Sequence, residues 1–148
     1  MKIEDEIKQY KFRNSHQKAV INLLYTTNWV LAKQKDLFQP HNITGQQYNI
    51  LRILRGQYPN SISATEIKSR MLDKNSDVSR LLDRLLAKNI ISKQTSISDK
   101  RAADIYLTEE GLQLLNVIDQ KQHLLDSILL LSEEDASVLS DLLDKCRG

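Results

Sequence analysis

Between Asp73 and Leu107 two hydrophobic periods stand back to back, and this junction limits the fold more than any other stretch. Val78, Leu81, Leu82 and Leu85 recur at i, i+3, i+4 and i+7, the spacing of one helix face. Some twenty residues later, Ala103, Ile105 and Leu107 alternate with Ala102, Asp104 and Tyr106, the period of a half-buried strand. A second strand fits residues 90–95, which pairs the two across a polar loop. A lone two-stranded hairpin is marginal in water, so it must lie against the helix before it.

Cap residues divide the remainder. Thr44-Gly-Gln-Gln47 and Ser63-Ala-Thr-Glu66 have the capping-box form, and Ser132-Glu-Glu-Asp135 is a weaker version with Asp in place of Glu. Thr108 precedes Glu109 and Glu110, two acids suited to the positive end of a helix. Asp73 and Asn75 are candidate caps before Val78. These signals predict a mostly helical segment over 5–38, with a break near Asn14-Ser15. Helices are predicted over 45–57, 64–71 and 74–89, strands over 90–95 and 102–107, and long helices over 109–130 and 133–146. Pro40 and Asn42 mark a loop, and Tyr58-Pro59-Asn60 ends a helix. The expected class is mainly α: a winged helix-turn-helix, with a three-helix core and a two-stranded β-wing, carrying long terminal helices. The 148 residues form one domain, with a helical region from 1–38 and 109–148 and a winged-helix lobe over 44–107.

Several classes of function are excluded or left without support. One cysteine, Cys146, permits no internal disulfide. Residues 1–20 lack the apolar stretch of a signal peptide, and no run approaches a membrane span, so the cytoplasm is the expected compartment. His16, His41 and His123 are isolated, so no metal site is expected. No phosphate loop or nucleophile elbow occurs, and no cofactor or enzymatic activity is expected.

Net charge is only +2, but its distribution is uneven. Residues 1–60 carry nine Lys/Arg against four Asp/Glu, residues 61–107 nine against six, and residues 108–148 three against nine. A basic first two-thirds fits an anionic partner, although ordinary surface charge gives the same balance. The face of 73–89 opposite the leucines carries Ser76, Arg80, Asp83 and Arg84, with Lys74 and Asn75 at its amino end. Such residues bond phosphates and base edges, and in a helix-turn-helix the second helix enters the major groove. Lys93, Lys100 and Arg101 bring positive charge to the wing, where a narrow, electronegative minor groove attracts Arg. Asp99 repels phosphate, and its expected role is to brace the Arg101 guanidinium.

Asp99-Lys100-Arg101 followed by "AADIYLTEEG" resembles the wing signature of the MarR family of bacterial regulators, D-x-R, a short strand and L-T-x-x-G. "VSRLLDRLLAKNIISK", residues 78–93, resembles that family's recognition helix and first wing strand, with Asn89 where Gly is usual. The resemblance is most specific from Ser63 to Gly111. It implies a homodimer with interlocking terminal helices and a pseudo-palindromic double-stranded DNA operator. It further implies a repressor released by a small aromatic or phenolic effector. Asp99 and Arg101 would then act in the wing, and Ser76, Ser79 and Arg80 in the major groove. Ser63 and Thr65 would offer hydroxyls or amides to phosphate.

The terminal helices point to dimerisation independently. Leu124, Leu125 and Ile128 to Leu131 form a dense apolar run, followed by Leu139, Leu142 and Leu143. His16, Tyr25, Trp29 and Tyr48 are candidate effector contacts because each joins an apolar body to a polar handle. The competing reading for them is core and interface packing. The competing function is a winged-helix module that binds protein without specific DNA binding. The sequence names neither operator, effector nor the sign of regulation.

Overall fold

The computed structural model describes residues 1–99 and 101–148, so the expectation for Lys100 lies outside the described residues. The chain forms two compact units, one of residues 1–34 and 128–148, the other of residues 35–127.

The second unit is built on α3 (Gly45–Arg55), β1 (Ile62–Ser63), α4 (Ala64–Arg70), α5 (Val78–Ala87), β2 (Ile91–Thr95), β3 (Ala103–Leu107), α6 (Glu109–Asp119) and α7 (Gln122–Asp126). The cap signals act as the sequence predicts. Thr44 Oγ1 accepts from the Gln47 N–H while the Gln47 side chain accepts from the Thr44 N–H, a complete capping box. Ser63 and Thr108 accept from the N–H groups of Glu66 and Gly111. The Ser63 box is only half closed, because the Glu66 carboxylate pairs with Arg70 instead.

All four apolar positions of α5 are buried, as the 3.6-residue period requires. Leu85 packs in a common core with Ile50, Leu51, Leu54, Ile67, Ile105 and Leu115, all fully buried. Burial of each such side chain is worth about 1.5–3 kcal/mol. The hairpin therefore has the support it needs. Its register sets Ile91 opposite Leu107 and Lys93 opposite Ile105. Asn89 ends the helix in the left-handed region at φ 58°, the conformation for which Gly or Asn is suited.

Four details differ from expectation. The sheet has three strands in the order β1-β3-β2, with Ile62 pairing Ile105. Helix α5 starts at Val78, not near residue 74, and its cap is Asp77, whose carboxylate accepts from the Arg80 N–H at 3.2 Å. Asp73 is engaged elsewhere, accepting from the Asn75 N–H at 2.9 Å in the preceding turn. The helix expected over 109–130 is two, α6 and α7, with a break at Gln120-Lys121.

The first unit holds α1 (Ile3–Glu6), most of α2 (Ser15–Phe38) and α8 (Glu133–Arg147). The expected break before Ser15 is present. Ser132 caps α8, accepting from the Asp135 N–H. No residue of α8 is buried, and Leu24, Leu130 and Leu142 are all more than half exposed. No helix among the described residues is long and apolar enough to cross a membrane.

Candidate nucleic-acid interface

Ser63 starts α4 as its cap, so its hydroxyl is engaged with the Glu66 N–H at 3.1 Å. Thr65, one residue into the helix, is exposed. The turn that follows is held by Asp73. Its carbonyl accepts from both the N–H and the hydroxyl of Ser76, at 3.2 and 2.8 Å. Gln46 bonds the Asp73 carboxylate and the Ser76 hydroxyl from α3. Ser76 is therefore buried in the turn and does not stand on the outward face of α5, where the helical period had put it. The period fails there because residues 73–77 are not yet helical. Lys74 and Asn75 are exposed on that turn, and the Lys74 ammonium donates to the Ser69 carbonyl.

Asp77 then launches α5 with Ser79, Arg80, Asp83 and Arg84 all exposed along it. The hairpin follows directly, with Lys93 exposed on β2. At the wing tip the Asp99 carboxylate accepts the backbone N–H of Arg101 at 2.9 Å. The Ala102 N–H donates to the Asp99 carbonyl at 3.0 Å. Asp99 thus shapes the turn through the backbone and does not clamp the guanidinium, which corrects the expected brace. A short Asx-type bond closes first because its partner is only two residues away. The ion pairs among the described residues are Lys18–Glu4, Arg55–Asp119, Arg70–Glu66 and Arg147–Asp144. None of them engages Arg80, Arg84, Lys93 or Arg101.

Thr108 ties the wing base to α6. Its hydroxyl donates to the Ile90 carbonyl at 2.7 Å and accepts from the Gly111 N–H at 3.1 Å.

The four aromatic candidates fall in different surroundings. Tyr48 lies in the core of the second unit, its ring centroid 4.4 Å from that of Phe38, and burial pushes its phenol pKa up. His16, Tyr25 and Trp29 lie on α2 in the first unit. Tyr25 donates to the Glu6 carboxylate at 2.5 Å, which raises its pKa above the ordinary value. Trp29 is partly exposed and carries the Lys33 ammonium 5.9 Å from its ring centroid.

Sequence reasoning missed a cleft in the second unit, lined by Lys35, Gln39, Thr44, Arg84 and Lys88 among others. The one signal for it was Lys88, four residues beyond Arg84 on the same helix face.

A short helix, a turn, a second helix with an exposed cationic face and an antiparallel hairpin define a winged helix-turn-helix protein. Residues 43–103 match the model of the MarR family. The chain is 28% identical over 130 residues to the HTH-type transcriptional regulator PecS of Dickeya dadantii, covering 85% of this chain and 78% of PecS. A MarR transcription factor of Planctomyces limnophilus shares the fold at a TM-score of 0.70 and 25% identity, over 93% of this chain and 98% of that one. The S. aureus MepR–DNA complex aligns at 0.76 and 22%, over 92% and 97%. Bordetella bronchiseptica BpsR, whose DNA binding is regulated by 6-hydroxynicotinic acid, aligns at 0.69 and 18%, over 86% and 99%. Over residues 43–103 by sequence, and in its fold, the chain is thus similar to the winged-helix transcription regulators of the MarR family.

Proposed function

We propose that the chain is a homodimeric repressor that binds a pseudo-palindromic operator and leaves it when a small aromatic effector binds. The observation that carries the DNA reading is the outward face of α5. Ser79, Arg80 and Arg84 are exposed there, and neither arginine has a carboxylate partner among the described residues. Ser79 and Arg80 read base edges, and Arg84 meets the backbone. Lys74, Asn75, Ser63 and Thr65 hold phosphates from the turn and the start of α4. Arg101, with Lys93 and Lys100, enters the minor groove. Ser76 supports the turn behind this face. The solved MepR–DNA complex, which has the same fold, favours this docking.

The first unit supports the dimer. Helix α8 has no buried residue, yet Val138 and Leu142 stand exposed on it, and Leu130 and Leu131 precede it. An isolated helix of this length is marginal in water, so a second copy is the partner that stabilises it. Residues 1–38 and 109–148 form the dimer region and 44–107 the DNA-binding lobe. Two α5 helices then enter successive major grooves about 34–36 Å apart. An effector at the dimer region, with His16, Tyr25 and Trp29 as contacts, acts by binding the DNA-incompetent arrangement more tightly. The BpsR precedent favours such a ligand.

Selection from random duplexes, followed by salt titration of the winner, tests the reading. A two-fold symmetric site with steep salt dependence is the expected result. Weak binding without any enriched motif would overturn it and favour a protein-binding module.

A further inference from the structure

The cationic face of α5 does not end at Arg84. Arg80, Arg84 and Lys88 recur every fourth residue and lie along one side of the helix. The far end of that side opens into a cleft of about 520 Å³, bounded by Lys35 and Gln39 on one side and Thr44 on another. Three cations line it and no Asp or Glu does. Lys35 and Arg84 enter none of the ion pairs among the described residues. The Lys88 ammonium donates to the Asn42 carbonyl, which holds it at the rim without neutralising it. The cap of α3, Thr44, is part of the same lining, so the positive end of an 11-residue helix adds to the field.

We propose that this cleft seats the phosphodiester backbone of DNA flanking the bases read by α5. The inference rests on the DNA-binding reading above. Charge complementarity argues for an anion, and continuity argues for DNA: Arg84 belongs to both the helix face and the cleft. A duplex lying along α5 meets the cleft at its edge. Contacts here touch phosphate and no base. They contribute affinity and salt dependence but no sequence discrimination.

The test compares operator duplexes sharing one core, with flanks either trimmed or extended by a helical turn. Wild type, Lys35→Gln and Lys35→Gln/Lys88→Gln are titrated on each at several salt concentrations. The Lys35 ammonium enters no ion pair among the described residues and the Asn42 carbonyl is held by Lys88, so the single Lys35 variant leaves the Asn42 turn undisturbed. Wild type should gain about tenfold from the extended flanks at low salt, and the double variant should lose that gain. The slope of log affinity against log salt should become shallower by about 0.9 for each phosphate contact removed. The preference for operator over scrambled duplex should not change. Equal flank gain and equal slope in all three proteins would overturn the proposal. So would a wild-type site that binds inorganic phosphate without DNA while the flank gain is untouched by either substitution; the cleft would then serve a free anion. A wild type with no preference for operator over scrambled DNA would overturn the DNA-binding reading itself, and this inference with it.

Discussion

A methyl group on Gly111 would lie 2.2 Å from the Ile90 carbonyl oxygen and 2.7 Å from Leu107 Cδ1. The last turn of the wing and the first turn of α6 approach so closely that only hydrogen fits between them. This gives the glycine of the L-T-x-x-G signature a steric reason. The same Ile90 carbonyl accepts from the Thr108 hydroxyl and N–H, so it is fixed and cannot retreat.

Gly111→Ala should therefore destabilise the second unit. Alanine gains up to ~1 kcal/mol of helix propensity, but the clash with a fixed backbone atom outweighs it, since overpacking costs about 1–3 kcal/mol or more. Gly56→Ala is the control. Its nearest neighbour would be 3.4 Å away, and its φ of −62° suits alanine. Thermal melts should put Gly111→Ala several degrees below wild type and Gly56→Ala at or slightly above it. Equal melting temperatures for the two variants would remove the steric account.

Arg80→Ala should weaken operator binding and relax discrimination at one base pair of each half-site. A bidentate arginine contact is worth about 1–3 kcal/mol against the wrong base. Arg101→Ala should weaken binding with little change in discrimination within the major-groove core. Titration of both variants against single-base operator variants separates the roles. Unchanged discrimination in Arg80→Ala would remove it from the base-reading face.

Asp99 is a test of the corrected brace. Its carboxylate holds the Arg101 backbone N–H, and an asparagine amide oxygen can accept the same bond. Asp99→Asn keeps the turn and removes a negative charge that repels phosphate, so it should bind operator at least as tightly as wild type. Asp99→Ala loses the bond, worth about 0.5–1.5 kcal/mol, and should bind more weakly. Were the guanidinium the true partner, both substitutions would impair binding alike.

Much of this arrangement was legible in the sequence where a single local rule decides. The period of Val78, Leu81, Leu82 and Leu85 fixed the buried face of α5, and Thr44, Ser63, Thr108 and Ser132 acted as caps. Asp73, Asn75 and Asp77 are all cap-type residues within one turn, so propensity alone does not choose among them. Tertiary bonds from Gln46 to Asp73 and Ser76 fix the turn and leave Asp77 as the cap. Strand β1 is too short to have a period and exists through the pairing of Ile62 with Ile105, residues far apart in the chain. No Gly or Pro marks the break between α6 and α7. The cleft joins residues 35–47 to residues 84–88, and no window of sequence contains both.

The first unit carries two polar ties between α1 and α2, and they should fail at opposite ends of the pH scale. The Lys18 ammonium bonds the Glu4 carboxylate and holds its pKa below the usual 4.5. A depressed carboxylate contributes stability above its unfolded value, and that contribution is lost as pH falls through the folded one. Tyr25 donates to Glu6, and this bond raises the phenol above its usual 10.0. A raised acid contributes stability below pH 10 that is lost as pH rises through the folded value. The Tyr25–Glu6 bond is solvent-exposed and the Lys18–Glu4 pair partly so, and water screens both, so each effect on the melting temperature should be small. Site-resolved NMR titration is the sharper measurement. Lys18→Met should return Glu4 toward its ordinary value without moving Tyr25, and Glu6→Gln should lower Tyr25 without moving Glu4. A Tyr25 titration unaffected by Glu6→Gln would break the second tie. It would leave the Tyr25 hydroxyl open to an effector without competition from Glu6.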